Sequence, residues 1–177
     1  MATKAKFKLF NGPAPTTAAQ AAVATGTSIK TMLQIKSAGG SLKILEWGVS
    51  GSGAAVAAGI EWELLTTGTI AATVTAHVEA GCVRWPTRQA ELEDGLLAAS
   101  YLTFGTAATG YTASGEGTIT ETNVFDSVLV TPTDIYKGDF ARRFNSPIMV
   151  PSTDYLRVRC TAAAGVNAIC WVLLEAA

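Results

Sequence analysis

His77 is the single histidine of the 177-residue chain and the natural starting point for any acid–base chemistry. A histidine serving as general base needs a carboxylate to orient it and a nucleophile within reach. Glu79 is too close in sequence to count as evidence for such a partner, and His77, flanked by Ala76 and Val78, reads as an ordinary strand histidine, exposed or hydrogen-bonded. The three cysteines, Cys82, Cys160 and Cys170, are odd in number and lack C-x-x-C spacing, which suits neither a disulfide framework nor a zinc site. Asp126, Asp134 and Asp139 do not have the spacing of an EF-hand. Glycines occur at Gly51-Ser52-Gly53 and between Gly105 and Gly117, but no Gly-Lys-Ser/Thr follows them to cradle a phosphate. No catalytic residue, cofactor or metal ligand is assigned on this reading, and the chain is expected not to be an enzyme.

Binding chemistry rests on the aromatic and basic residues. Trp47 and Trp62 sit at strand positions with core spacing, whereas Trp85, before Pro86, is a candidate exposed anchor or ligand platform. Trp171 lies opposite Cys170 in the strand alternation, where Arg159 is expected to cross and to offer a cation–π partner, a subunit contact being the alternative. Lys137, Arg142 and Arg143 flank Phe140 and Phe144. Asp134 and Asp139 dilute that charge, so Arg142 and Arg143 are expected at the rim of a protein interface rather than on nucleic acid.

Composition points the same way. The net charge of −1 gives no electrostatic case for nucleic acid or an anionic membrane. Only 15% of residues are charged while 49% are hydrophobic, which suits a surface partly covered by other protein or one kept soluble by hydroxyl groups. No apolar run approaches the length of a membrane span, and no signal-like stretch follows the lysines at 4, 6 and 8. Assembly in a cytoplasm is expected.

The elements that must position these residues are strands. Leu33 and Ile35 alternate with Gln34 and Lys36; Ile60, Trp62 and Leu64 alternate with Glu61 and Glu63. Leu42 to Ser50 is apolar on both faces, with Leu42 and Ile44 on one and Leu45, Trp47 and Val49 on the other, so a cover is expected on each side. Thr69 to Val78 alternates weakly, Glu79 to Ala99 reads as a long loop, and Thr118 to Val130 returns to strand. Short strands are expected over Phe140 to Phe144 and Ile148 to Val150. Leu156 to Thr161 and Ala168 to Leu174 read as a hairpin. Many short strands without helical period predict an all-β chain, a jelly-roll-like antiparallel β-sandwich over residues 29–177.

Residues 1–28 are rich in Ala, Thr, Lys, Gly and Pro and carry few bulky apolar groups, so they read as an extended N-terminal arm. Lysines 4, 6 and 8 alternate with Ala5, Phe7 and Leu9, giving an extended segment a charged and an apolar side. Phe7, Leu9 and Phe10 are its expected anchors, on a neighbouring molecule or on the chain's own sandwich.

Three stretches, KLFNGPAPTTAAQ (Lys8 to Gln20), LKILEWGVS (Leu42 to Ser50) and LRVRCTAAAGVNA (Leu156 to Ala168), resemble small proteins encoded in tailed-phage genomes. The resemblance implies a virion structural protein of capsid-decoration (cement) type, bound to the major capsid protein on the outside of the shell. It also implies self-association, with a homotrimer expected, and location in the virion. The alternative is a tail or head-fibre β module that binds host surface glycan.

Overall fold

Period-two alternation of apolar and polar residues makes strands of most of the chain, and the apolar faces of those strands close on one another. The structure, a computed structural model, describes residues 5–13, 19–52, 58–85, 98–143 and 147–176, with only the backbone of Trp85, Arg142 and Arg143. One sheet runs β10 (Ile135–Asp139), β4 (Leu42–Ser52), β13 (Asn167–Ala176), β1 (Lys6–Phe10), β7 (Val83–Trp85), with β11 (Ile148–Val150) also beside β4 and β2 (Val23–Ala24) beside β13. The other runs β6 (Thr73–Ala76), β8 (Gly110–Gly115), β3 (Lys30–Lys36), β12 (Tyr155–Thr161), β5 (Ile60–Thr66), β9 (Asn123–Val130). Every ladder is antiparallel. The chain crosses between the sheets at β2–β3–β4–β5, β6–β7–β8, β9–β10 and β11–β12–β13, so the all-β antiparallel sandwich holds. One core lies between the sheets, built on Phe7, Leu9, Trp47, Leu64, Val158 and Val172 among others.

The N-terminal segment is part of this sandwich. β1 lies between β13 and β7, pairing Phe7 with Leu174 and Arg84 and Leu9 with Val172. Phe7 and Leu9 point inward and are fully buried. Phe10 points outward and is half-buried, with the Lys8 ammonium 5.5 Å from its ring centre. Phe7 and Leu9 thus lie on the chain's own sandwich, the second of the two placements expected of them. The expected arm, 1–28, is not separate from 29–177, because residues 6–10 and 23–24 are strands of the first sheet.

The two apolar faces expected of β4 are one. Its ladder with β13 slips between Leu173, opposite Glu46, and Leu174, opposite Ile44, leaving Leu45 as the extra residue of a bulge. A bulge shifts the alternation by one position. Leu42, Ile44, Trp47 and Val49 consequently all face the core and are all buried. The need for a second cover disappears.

Three local expectations also change. The C-terminal hairpin is a crossover: β12 pairs with β3 and β5 in one sheet, and β13 with β4, β1 and β2 in the other. Phe140–Arg143, expected within a short strand, is a single helical turn, and a strand at Ile135–Asp139 precedes it. The segment Gly110–Gly115 is a further strand, β8, and β9 begins at Asn123 rather than Thr118.

Since Leu9 is a fully buried side chain at the chain's start, Leu9→Ala is expected to cost about 2–5 kcal/mol in urea unfolding, the range for a core leucine. An unchanged midpoint would return β1 to the status of an arm.

Candidate functional site

His77 follows β6 and is 2% exposed. Its Nε2 lies 2.9 Å from the Phe10 carbonyl oxygen, which can only accept, so Nε2 carries the proton and donates. Nδ1 is then the acceptor of the ring, and it is buried without a hydrogen-bond partner among the described residues. The Tyr111 ring meets the imidazole edge-on, with centres 4.8 Å apart. Burial pushes the His77 pKa below its ordinary value, against the opposing pull of the Phe10 carbonyl.

Beside this histidine is a cavity of about 220 Å³ walled by Pro13, Val78, Ala80 and Tyr111, with His77 and Gly81 also in its lining. Gly81 belongs to a 3-10 turn, Glu79–Gly81, that folds back over the histidine. A Cβ on Gly81 would stand 2.8 Å from Nδ1, so the glycine lets the turn pack closely against the ring. The Glu79 carboxylate ties the turn down by accepting from the Ala98 and Ala99 amides at 2.6 and 2.7 Å. Next to Tyr111, Thr112 has φ of 52°, a left-handed conformation uncommon for a β-branched residue, and its hydroxyl is buried and unpartnered. This distortion coincides with the shift in the β6–β8 ladder between Thr73 and Thr75. No sequence signal links Pro13, His77 and Tyr111, because three separate elements bring them together.

The remaining expected site residues lie elsewhere. Trp171 is on the outer face of the first sheet, its Nε1 donating to Glu46 at 2.8 Å and its ring packed where a Cβ on Gly48 would stand, 2.3 Å away. The cation over it is Lys8, at 4.9 Å, and not Arg159, whose Nε donates to Glu63 at 2.9 Å on the other sheet. That correction follows from the β12–β13 crossover. The Trp85 backbone pairs with Lys6 at the end of β7 and is not loop, while its side chain lies outside the described residues, as do those of Arg142 and Arg143 in the helical turn.

A second surface stands out at one side of the sandwich. β9 is the last strand of its sheet, and β10 and β11 both flank β4 at the edge of the other. Leu129 and Ile135 are each 72% exposed, Met149 47% and Val124 45%, four of the seven large apolar side chains exposed among the described residues. The only charged residue of β9, Asp126, is turned away from solvent contacts of this kind, accepting from Trp47 Nε1 at 2.9 Å and the Tyr136 hydroxyl at 2.7 Å. β9 thus exposes Val124 and Leu129 and lacks the charges that usually blunt a free strand, while Ile135 and Met149 lie on the outer face of the other sheet.

The buried titratable groups set a pH window. Cys82, Cys160 and Cys170 are free and buried. Burial, helped by Glu79, pushes the Cys82 thiol up to about 12, and burial does the same for Cys160 against the pull of Lys30. Folded thiols that hold their protons more tightly than unfolded ones stabilise fully below about pH 9 and lose that contribution as pH rises toward 12. His77 acts oppositely: the unfolded chain takes up its proton first, so stability falls as pH drops through about 6.5. The urea midpoint is expected to be highest near pH 7–8 and lower at about pH 5 and 10; a midpoint that climbs steadily to pH 10 contradicts the assignment of neutral buried thiols.

Comparison with protein-family models, with curated proteins and with solved structures finds no match in any of the three.

Proposed function

We propose that this chain is a bacteriophage virion structural protein, a non-enzymatic subunit that decorates the outside of a capsid as a homo-oligomer and takes the major capsid protein as its partner. The single observation that carries the reading is the outermost strand β9, which exposes Val124 and Leu129 and whose one charged residue, Asp126, is engaged by Trp47 and Tyr136. An open strand edge with exposed apolar side chains favours association, each large side chain contributing about 1.5–3 kcal/mol when covered. The resemblance of the Lys8 to Gln20, Leu42 to Ser50 and Leu156 to Ala168 stretches to tailed-phage proteins supplies the setting.

The self-contact and the shell contact are separate parts of this reading. β9 and β10 serve the first, since an edge strand extends a sheet into a second copy of the same chain. The outer face of the first sheet, where Lys8, Lys137 and Trp171 gather around Glu46, is available to the second. A glycan-binding fibre module gains nothing from this face, because the Trp171 ring is already covered by Gly48 on one side and approached by Lys8.

Sedimentation of the purified chain is expected to give a mass near three times 18.3 kDa. Leu129→Lys with Ile135→Lys should shift it to the monomer while circular dichroism is unchanged, and the full chain should co-sediment with undecorated heads near one-to-one with the shell protein. A monomer at every concentration removes the oligomer, and a failure to bind heads removes the capsid.

A further inference from the structure

We infer that Asn11–Gly12 is a self-modification site, open only while the first strand is undocked, where deamidation of Asn11 yields a chain that no longer rebuilds the β1–β13 contact. Asn11 is the only asparagine of the chain followed by glycine. That pairing favours attack of the next backbone nitrogen on the side-chain carbonyl carbon, because glycine has no Cβ to obstruct the approach and the widest backbone freedom. In the step, the Gly12 N–H gives up its proton, its nitrogen bonds to Asn11 Cγ, and Nδ2 leaves as ammonia. Water then opens the cyclic imide at one of its two carbonyls, leaving aspartate or the isomer whose backbone runs through the former side chain. The reaction needs no oxidant, reductant or cofactor.

The fold closes this route. Asn11 and Gly12 are both buried, and Asn11 is 0% exposed, so water has no access to the pair. Nδ2, the leaving group, donates to the Ala168 carbonyl at 2.9 Å, and Oδ1 accepts from the Cys170 amide at 2.9 Å. Held at both ends against β13, the side-chain amide is not free to turn onto its own backbone. The same contacts reject the product. Aspartate at this position has no donor for the Ala168 carbonyl, sets a carboxylate oxygen against it, and buries a charge. The isomer also lengthens the backbone beside Gly12, where even a Cβ would stand 2.8 Å from the Gln20 side-chain nitrogen. Deamidation is therefore selective: it retires chains whose β1 has not docked and spares those whose β1 has. The inference concerns different residues from the β9 edge and stands whether or not the chain coats a capsid.

The test holds the full chain at mildly alkaline pH, one sample in buffer and one unfolded in guanidinium chloride, and follows the replacement of the side-chain NH₂ by OH with peptide mass spectrometry. In guanidinium, Asn11 is expected to convert ahead of Asn123 and Asn167, which precede Val124 and Ala168. In buffer it is expected to convert at least about a hundredfold more slowly, because the reaction then waits on the opening of β1. A partly converted sample returned to buffer is expected to give a folded fraction made of unconverted chains, with the converted ones unfolded or melting at a lower denaturant midpoint. Asn11→Asp should reproduce that loss, and the wild-type rates decide the matter even if this variant does not fold. Equal rates in buffer and guanidinium, no preference for Asn11 in the unfolded chain, or converted chains that refold with the wild-type midpoint overturn the proposal.

Discussion

The first strand of this chain pairs with its last, and the remaining architecture is arranged around that contact. β13 is held by β4 along one side, and along the other by β1 and then β2, which lie end to end. Asn11 fills the gap between those two strands with its side chain. Its amide nitrogen donates to the Ala168 carbonyl at 2.9 Å, its Oδ1 accepts from the Cys170 amide at 2.9 Å, and its own N–H donates to the Cys170 carbonyl at 3.1 Å. An asparagine side chain carries one donor and one acceptor in amide geometry, so it continues a backbone ladder where the backbone departs. The Phe10 carbonyl that fixes the His77 tautomer, and Pro13 at the cavity wall, are in place only because this strand is.

Polar residues on the outer side of the second sheet pin its covering loops. Gln34, buried on β3, accepts from the Ala72 amide at 2.7 Å and donates to the Ala108 carbonyl at 2.7 Å. Arg157, buried on β12, donates to Ile70 and Glu116 carbonyl oxygens and meets the Glu116 carboxylate at 3.2 Å, while Thr31 donates to that carboxylate from backbone and hydroxyl. The Arg157 side chain is fully buried and that of Glu116 is partly exposed, so the pair ties the loop that carries Glu116 to β12. The consequence is a division of labour: loops occupy the outer face near β3, β8 and β12, while the β9 edge stays open.

Much of the fold is legible in the sequence where alternation is uninterrupted. Trp62 and Leu64 on β5 and Cys170, Val172 and Leu174 on β13 announce both their strands and their inward faces. Legibility ends at bulges. One extra residue at Leu45 turns an apparent two-faced strand into a one-faced strand, and nothing in a period-two pattern separates those cases without knowing the partner. β1 misleads for a different reason, since two buried side chains are too few to signal a core strand until β13 and β7 supply the rest of the contact. The link between β12 and β13 has the length and glycine content of a hairpin loop, yet it spans two sheets. The cavity escapes sequence reading altogether, because its lining comes from residues 13, 76–78, 80, 81 and 111.

The account rests on β1 as an interior strand, and native-state hydrogen exchange on the full chain measures that directly. The amides of Phe7 to Phe10 are predicted to exchange only through global unfolding, with protection matching that of Val172 and Leu174 on β13. Rapid exchange at Phe7 to Phe10 beside slow exchange at Val172 and Leu174 would show a detachable arm and contradict the account.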